Sequence, residues 1–187
     1  MNLTIPVIVI GPPRSGTSTA SKIMQKYFGV KMTDIQIVNE WNPDGYFEDM
    51  DLIVADSQFV ANLISEDTWK DMFEQFIIKM RKFGGPWGFK DPRQCAFFDL
   101  VLERFPAATV IRCQRQRSLV LKSSMKHIES FKGKNKKESN KMIQNAEDML
   151  DIALSNFPHI MIKFDKKRRD DEQIANDILG QLEVLND

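Results

Sequence analysis

Residues 5–10 read Ile-Pro-Val-Ile-Val-Ile and run straight into Gly11-Pro-Pro13. An unbroken apolar, mostly β-branched run hides both of its faces, as a central strand of a parallel sheet does. Parallel strands need long crossovers, usually helical, so this run also predicts a helix after it. The spacing predicts that helix over 18–28, stopped by Gly29, then helices over 49–64 and 68–83. The third places Trp69, Phe73, Phe76, Met80 and Phe83 on one stripe and closes at Gly84-Gly-Pro86. Short strands are expected over 87–90, 108–113 and 159–164. Helices over 95–105, 117–130, 137–157 and 171–185 fall between and after them. Strands alternating with helices predict an α/β fold, a parallel sheet flanked by helices in a single domain over residues 1–187.

The chain has 187 residues, 42% of them apolar and 28% charged, which excludes global disorder and suits one core. Lysine plus arginine balances aspartate plus glutamate at 26 each, so bulk-charge binding of nucleic acid is not expected. Cys95 and Cys113 have neither metal spacing nor a disulfide framework, which favours a reducing, cytoplasmic setting. The apolar run near the N-terminus is too short for a signal core or a membrane span, so no membrane partner is expected. The zero net charge hides a segregation: residues 40–74 carry ten acidic side chains against one basic, and residues 112–137 nine basic against one acidic. Such runs form solvated faces or meet a polyanion. Lys134-Asn-Lys-Lys137 reads as an exposed loop. Lys166-Lys-Arg-Arg169, with acidic residues directly after it, reads as a turn.

The most informative segment is Gly11-Pro-Pro-Arg-Ser-Gly-Thr-Ser-Thr19, between the buried strand and its helix. A helix N-terminus offers unpaired N–H groups and the positive end of a dipole, so small residues there make an anion site. Gly16 lets the backbone approach a ligand, and Ser15, Thr17, Ser18 and Thr19 add hydroxyls. Gly11, Gly16 and Ser18 keep the spacing of the nucleoside triphosphatase phosphate loop, but Thr17 stands at its lysine position. The cation has moved inside the loop, to Arg14. A triphosphate with magnesium needs that lysine at its terminal phosphates; a single terminal anionic group does not.

Pro13-Arg-Ser-Gly-Thr-Ser18 after a strand resembles the 5′-phosphosulfate loop of sulfotransferases that use 3′-phosphoadenosine 5′-phosphosulfate (PAPS). Gly45-Tyr-Phe-Glu-Asp49 and Trp87-Gly-Phe-Lys-Asp-Pro-Arg93 are similar to two segments of a bacterial and phage branch of that family. Ile162-Lys-Phe-Asp165 with a Leu-Gly-containing helix resembles its C-terminal strand and helix. The resemblance implies a phosphate-loop nucleoside triphosphate hydrolase-like fold of the sulfotransferase type. It implies transfer of a sulfuryl group from PAPS to a hydroxyl or amine, with adenosine 3′,5′-bisphosphate released and no metal required. It further implies that Arg115 and Ser123, eight residues apart, bind the cofactor's 3′-phosphate. The family has proline where this chain has Arg117, so Arg112, Arg115 and Arg117 all stay candidates for that contact.

The chemistry needs an in-line acceptor, a base for its proton and cations where charge develops. Arg14 and the loop amides serve the transferred group. The resemblance places Lys90 near that group, and its simpler role is a pair with Asp91. Glu48 is the preferred base, its affinity for a proton raised by Tyr46, Phe47 and a dry pocket; its competing role is a helix N-terminal charge. Asp91 is the alternative base. His127 and His159 fit poorly, and Arg93 would hold cofactor or acceptor. Trp41, Tyr46 and Trp87 line an acceptor pocket or belong to the core. The expected acceptor is a small molecule or carbohydrate, a lipid headgroup and a peptide tyrosine being compatible as well, and the acidic stretch over 40–74 mildly favours a neutral or cationic one. Other readings are a nucleotide-binding protein without turnover and a small-molecule kinase with an altered loop.

Overall fold

In the computed structural model, which describes residues 3–33, 45–127, 133–164 and 170–186, the apolar run becomes strand β1, Val7–Ile10. Its four side chains are all fully buried, because β1 lies inside a parallel sheet of order β2-β1-β3-β4. The partners are β2 (Gly88–Phe89), β3 (Thr109–Arg115) and β4 (Ile160–Phe164). The register sets Ile8 beside Phe89, Ile10 beside Arg112 and Arg115 beside Phe164. Parallel strands end on the same edge, so Gly11, Lys90 and Gln116, each one residue past a strand, share it.

Helices cover both faces, and the period-2 alternation of the strands decides which residue meets which helix. Val7, Val9, Ile111, Cys113, Ile160 and Ile162 face α1 (Thr17–Phe28) and α7 (Asp171–Asn186). Ile8, Ile10, Phe89 and Val110 face α2 (Met50–Val60), α3 (Glu66–Arg81), α4 (Phe98–Arg104) and α6 (Lys136–Ala153). On this second face Phe73 stacks on Trp69 at 4.9 Å and meets the edges of Phe89 and Phe105 at 5.8 and 6.0 Å. Helix α5 (Arg117–His127) packs on α6 through Val120, Leu121 and Ile143. Among the described residues no helix is long and apolar enough to cross a membrane.

The boundaries depart from the sequence expectation where local chemistry outweighs periodicity. Helix α2 ends at Val60, not residue 64, because Asn62 adopts a left-handed conformation (φ 54°) that asparagine tolerates. Ser65 then caps α3 by accepting from the Thr68 amide, so α3 starts at Glu66, two residues before the expected position. The helix expected over 95–105 is two pieces, a 3-10 turn (Pro92–Ala96) capped by Asp91, and α4, broken at Phe97. The exposed lysines of 134–137 are a loop only in part. Asn135 forms a reciprocal cap with Glu138, and Lys136 and Lys137 open α6. The turn expected over 166–169 lies outside the described residues.

Phe73→Ala removes the ring at the centre of this aromatic face. We expect a loss of about 3–5 kcal/mol in stability, read as a lowered urea midpoint with an unchanged slope.

Candidate functional site

Three segments distant in sequence converge at the carboxyl edge of the sheet. The first is the loop after β1, which turns back at once: the Ser15 amide donates to the Pro12 carbonyl at 3.1 Å. Two glycines make room for it. A Cβ on Gly11 would sit 2.5 Å from the Cys113 carbonyl oxygen, and one on Gly16 would sit 2.4 Å from the Phe164 ring. Gly16 is also the N-cap of α1 with φ 108°, so a side chain there is strained as well as blocked. The amides of the first helical turn, Thr17, Ser18 and Thr19, have no acceptor within their own helix. Thr17, in the lysine position, is buried.

Inside the loop the Ser15 hydroxyl is almost fully buried, and its Oγ has no hydrogen-bond partner among the described residues. A buried hydroxyl without a partner costs about 1–3 kcal/mol, so an oxyanion fits what the loop lacks. Arg14, too, is held in the left-handed region, with φ 69°. Such a conformation costs on the order of 1 kcal/mol and persists only where surroundings impose it.

The second segment imposes it. Arg14 Nε donates to Ser123 Oγ at 2.9 Å, and Arg115 Nη1 donates to the Arg14 carbonyl at 3.2 Å. The loop is thereby tied to the end of β3 and to the middle of α5, each more than a hundred residues away. Of the three arginines the sequence left as candidates, only Arg115 is seen turned to the loop. Arg112 is buried on Asp151, and Arg117 Nε donates to Glu147 at 2.7 Å. A polar cleft of about 310 Å³ opens beside them, lined by Gln114, Arg115, Gln116, Arg117, Glu147 and Lys163. Burial pulls the Arg14 guanidinium below its ordinary value; neighbouring Arg115 lowers it further while Tyr46 pushes it back.

Tyr46 belongs to the third segment. Phe47, with φ 55° and its carbonyl accepting from Thr33 Oγ1 at 2.5 Å, kinks the chain ahead of α2. The kink separates two neighbouring acids. Asp49 caps α2 through the Asp51 and Leu52 amides, and Glu48 turns to cations. Glu48 Oε1 accepts from Lys90 Nζ at 2.5 Å and Oε2 from Arg93 Nη1 at 3.2 Å. The environment expected for Glu48, aromatic and dry, is therefore ionic instead. The pairing of Lys90 also differs from the simple expectation: its hydrogen bond goes to Glu48, while Asp91 takes Arg93 at 2.9 and 3.0 Å. Lys90 is only 1% exposed, and burial pushes its pKa down although Glu48 pulls it up.

His159 binds the Phe157 carbonyl before β4, at the sheet edge opposite the loop. His127 ends α5. Trp87 is core, stacked 6.2 Å from Phe89, and Trp41 lies outside the described residues. The cysteine thiols are both free and fully buried; burial pushes Cys95 up to about 12 and raises Cys113 as well. Sequence reasoning missed Asp56, which lies fully buried on α2 and accepts from Trp69 Nε1 at 2.8 Å. A signal existed: Leu52, Ala55 and Asp56 share one helical face, and an acid on an apolar face needs a partner.

With this geometry in place, the comparisons with known proteins bear directly on it. The model of the Sulfotransferase family matches residues 6–184. The chain belongs to the sulfotransferase family. No curated protein matches the sequence significantly. The solved structures that share the fold of this sulfotransferase include shikimate kinase from Bacteroides thetaiotaomicron, at 12% identity and TM-score 0.58, covering 97% of this chain and 98% of that one. Deoxyadenosine kinase from M. mycoides with bound dATP is similar at 14% identity and TM-score 0.53, covering 96% and 100%. TT1252 from Thermus thermophilus matches at 9% identity and TM-score 0.55, covering 98% of each. At these identities the likeness is one of fold: a parallel sheet with a phosphate loop, as in the kinases. The family match makes the protein a sulfotransferase-type transferase.

Because Ser15 Oγ has no partner among the described residues to lose, Ser15→Ala should leave the melting temperature unchanged or slightly raised. Sulfate or phosphate binding, measured by calorimetry, should weaken about tenfold, the worth of one charge-assisted hydrogen bond.

Proposed function

We propose that this sulfotransferase moves a sulfuryl group from PAPS to a hydroxyl or amine of a small-molecule or carbohydrate acceptor, releasing adenosine 3′,5′-bisphosphate. One observation carries the reading. Arg14, Ser123 and Arg115 are tied together by hydrogen bonds of 2.9 and 3.2 Å, which joins the phosphate loop to the two residues this reading assigns to a second anion. A nucleoside with phosphates at both ends requires two such positions at a fixed separation. Adenosine monophosphate requires one.

In this reading the loop amides with Ser15, Gly16, Thr17, Ser18 and Thr19 hold the 5′ end, and Arg115 with Ser123 the 3′-phosphate. The buried Ser15 hydroxyl, with no hydrogen-bond partner among the described residues, fits an oxyanion. PAPS supplies the sulfuryl group. The chain's own residues orient it, remove the acceptor proton and stabilise the leaving phosphate. Arg14 stands at the loop for that last task. Glu48 takes the acceptor proton, each of its oxygens having a lone pair beyond the one bound to Lys90 or Arg93. As its carboxylate is neutralised, its hold on Lys90 weakens and the ammonium is released toward the developing charge. Thr17 in place of the loop lysine counts against a kinase.

Two measurements test this. In thermal shift without metal, adenosine 3′,5′-bisphosphate should stabilise the ligand-free protein by about 2.7 kcal/mol at a hundredfold excess over its Kd, and AMP at the same concentration much less. Arg115→Ala should bring the bisphosphate down to the AMP level; stabilisation by ATP with magnesium alone would favour the kinase. Glu48→Gln should abolish transfer from PAPS while bisphosphate affinity holds, and retained turnover would move the base elsewhere.

A further inference from the structure

Glu48 is gripped on both oxygens, and the two grips are built differently. The Lys90 ammonium donates to Oε1 at 2.5 Å, and among the described residues that is its one hydrogen bond. Arg93 Nη1 donates to Oε2 at 3.2 Å, but the same nitrogen is also held by both oxygens of Asp91, at 2.9 and 3.0 Å. We propose that Asp91 and Arg93 form a fixed arm that positions Glu48 for proton transfer, and that Lys90 is the cation that lets go.

The local chain builds the arm. Asp91 follows β2 and caps the 3-10 turn by accepting from the Arg93 amide at 2.8 Å. Pro92 opens that turn with its φ fixed by the ring. One carboxylate therefore takes both the amide and the guanidinium of the same residue, which folds Arg93 back on Asp91. The turn packs against β1, α2 and α6, with Gln94 and Cys95 buried, so the arm has a rigid base.

Exposure separates the roles along the arm. The Asp91 side chain is 0% exposed and both its oxygens are taken, which puts it out of an acceptor's reach and makes it an anchor instead of the alternative base. The Arg93 side chain is 36% exposed and spans from that anchor to Glu48. Burial works against its charge, but Asp91 and then Glu48 more than offset this, and its pKa is raised. Arg93 is thus a positioning residue that acts through Glu48, in place of the contact with cofactor or acceptor expected from the sequence.

The asymmetry matters when Glu48 takes the acceptor's proton. The bonds from Arg93 to Asp91 do not depend on the charge of Glu48, so Oε2 keeps its donor and the carboxyl keeps its orientation. The acceptor's O–H or N–H bond breaks and a new O–H bond forms at Oε1. Lys90 loses its only anion there, and a buried ammonium without a counter-charge is strongly unfavourable. It is driven toward the charge developing on the leaving phosphate. This consequence rests on the sulfotransferase reading; the arm does not, so the two are tested separately.

In the ligand-free protein, urea unfolding of Arg93→Gln, Glu48→Gln and the double variant gives the coupling between the two positions. It should be present with Asp91 and absent in Asp91→Asn, which still accepts from the Arg93 amide but lacks the charge that holds the guanidinium. No coupling in the native background, or equal coupling in both, would overturn the arm whatever the reaction. Should Arg93→Gln not fold, Arg93→Lys keeps a charge against Asp91 and replaces it throughout. For positioning, PAPS is offered with water as the acceptor. The water oxygen bonds the sulfur, its proton goes to Glu48, and the bridging oxygen leaves with the bisphosphate. Arg93→Gln and Asp91→Asn should each lower kcat roughly 100-fold with bisphosphate affinity unchanged, and the double variant should lose no more than either. Losses that multiply, or a parallel loss of affinity, would overturn the positioning role. A native protein that neither binds the bisphosphate nor splits PAPS would overturn the sulfotransferase reading, and the urea cycle would still decide the arm.

Discussion

The carboxyl end of β1 is crowded on three sides, and the rest of the site depends on how the chain leaves it. Cys113 of β3 presses on Gly11, the Phe164 ring at the end of β4 presses on Gly16, and Ser15 is shut in between. No side chain fits at either glycine, so the backbone itself lines the loop, the candidate anion site, where α1 starts. Arg14 is left in a left-handed conformation, held by Ser123 of α5 and by Arg115 at the end of β3. A ligand spanning both segments would exploit an arrangement already strained into place.

The segregated charges resolve in the same way. Read along the chain, residues 40–74 form an acidic stretch, but in the fold much of that charge is paired. Glu48 pairs with Lys90 and Arg93, Asp49 and Asp51 share Lys79, Glu66 takes Lys70 and Glu74 takes Arg104. From the basic stretch, Arg112 and Arg117 find Asp151 and Glu147 on α6. The pairs on exposed side chains add little to stability. The buried ones have another value: with polar partners satisfied, they hold Glu48 and Lys90 in one geometry beside the loop.

Much of the architecture was legible because it obeys local rules. The buried strand, its glycine turn, the stripe from Trp69 to Met80 and the cap at Gly29 each need only neighbouring residues, and each lies where its pattern places it. The turn of the loop was legible for the same reason, since small residues between a strand and a helix let the backbone reverse tightly. Boundaries were less so. Asn62 and Phe97 break helices whose periodicity continues past them, because a backbone conformation at one residue outweighs a hydrophobic pattern spread over several.

The amino-acid order by itself determined that a parallel α/β sheet would carry a phosphate loop with an arginine inside it, because strand burial, helix period and glycine freedom act over a few residues. It did not determine that Glu48 would meet Lys90 rather than Asp91 doing so, that Arg115 rather than Arg112 or Arg117 would turn to the loop, or that a buried Asp56 would take the Trp69 indole. Those pairings join groups far apart along the chain. Which carboxylate a cation reaches is decided only when the strands take their register and the helices close over them, since burial makes the partner that happens to be within reach the one a charge must accept.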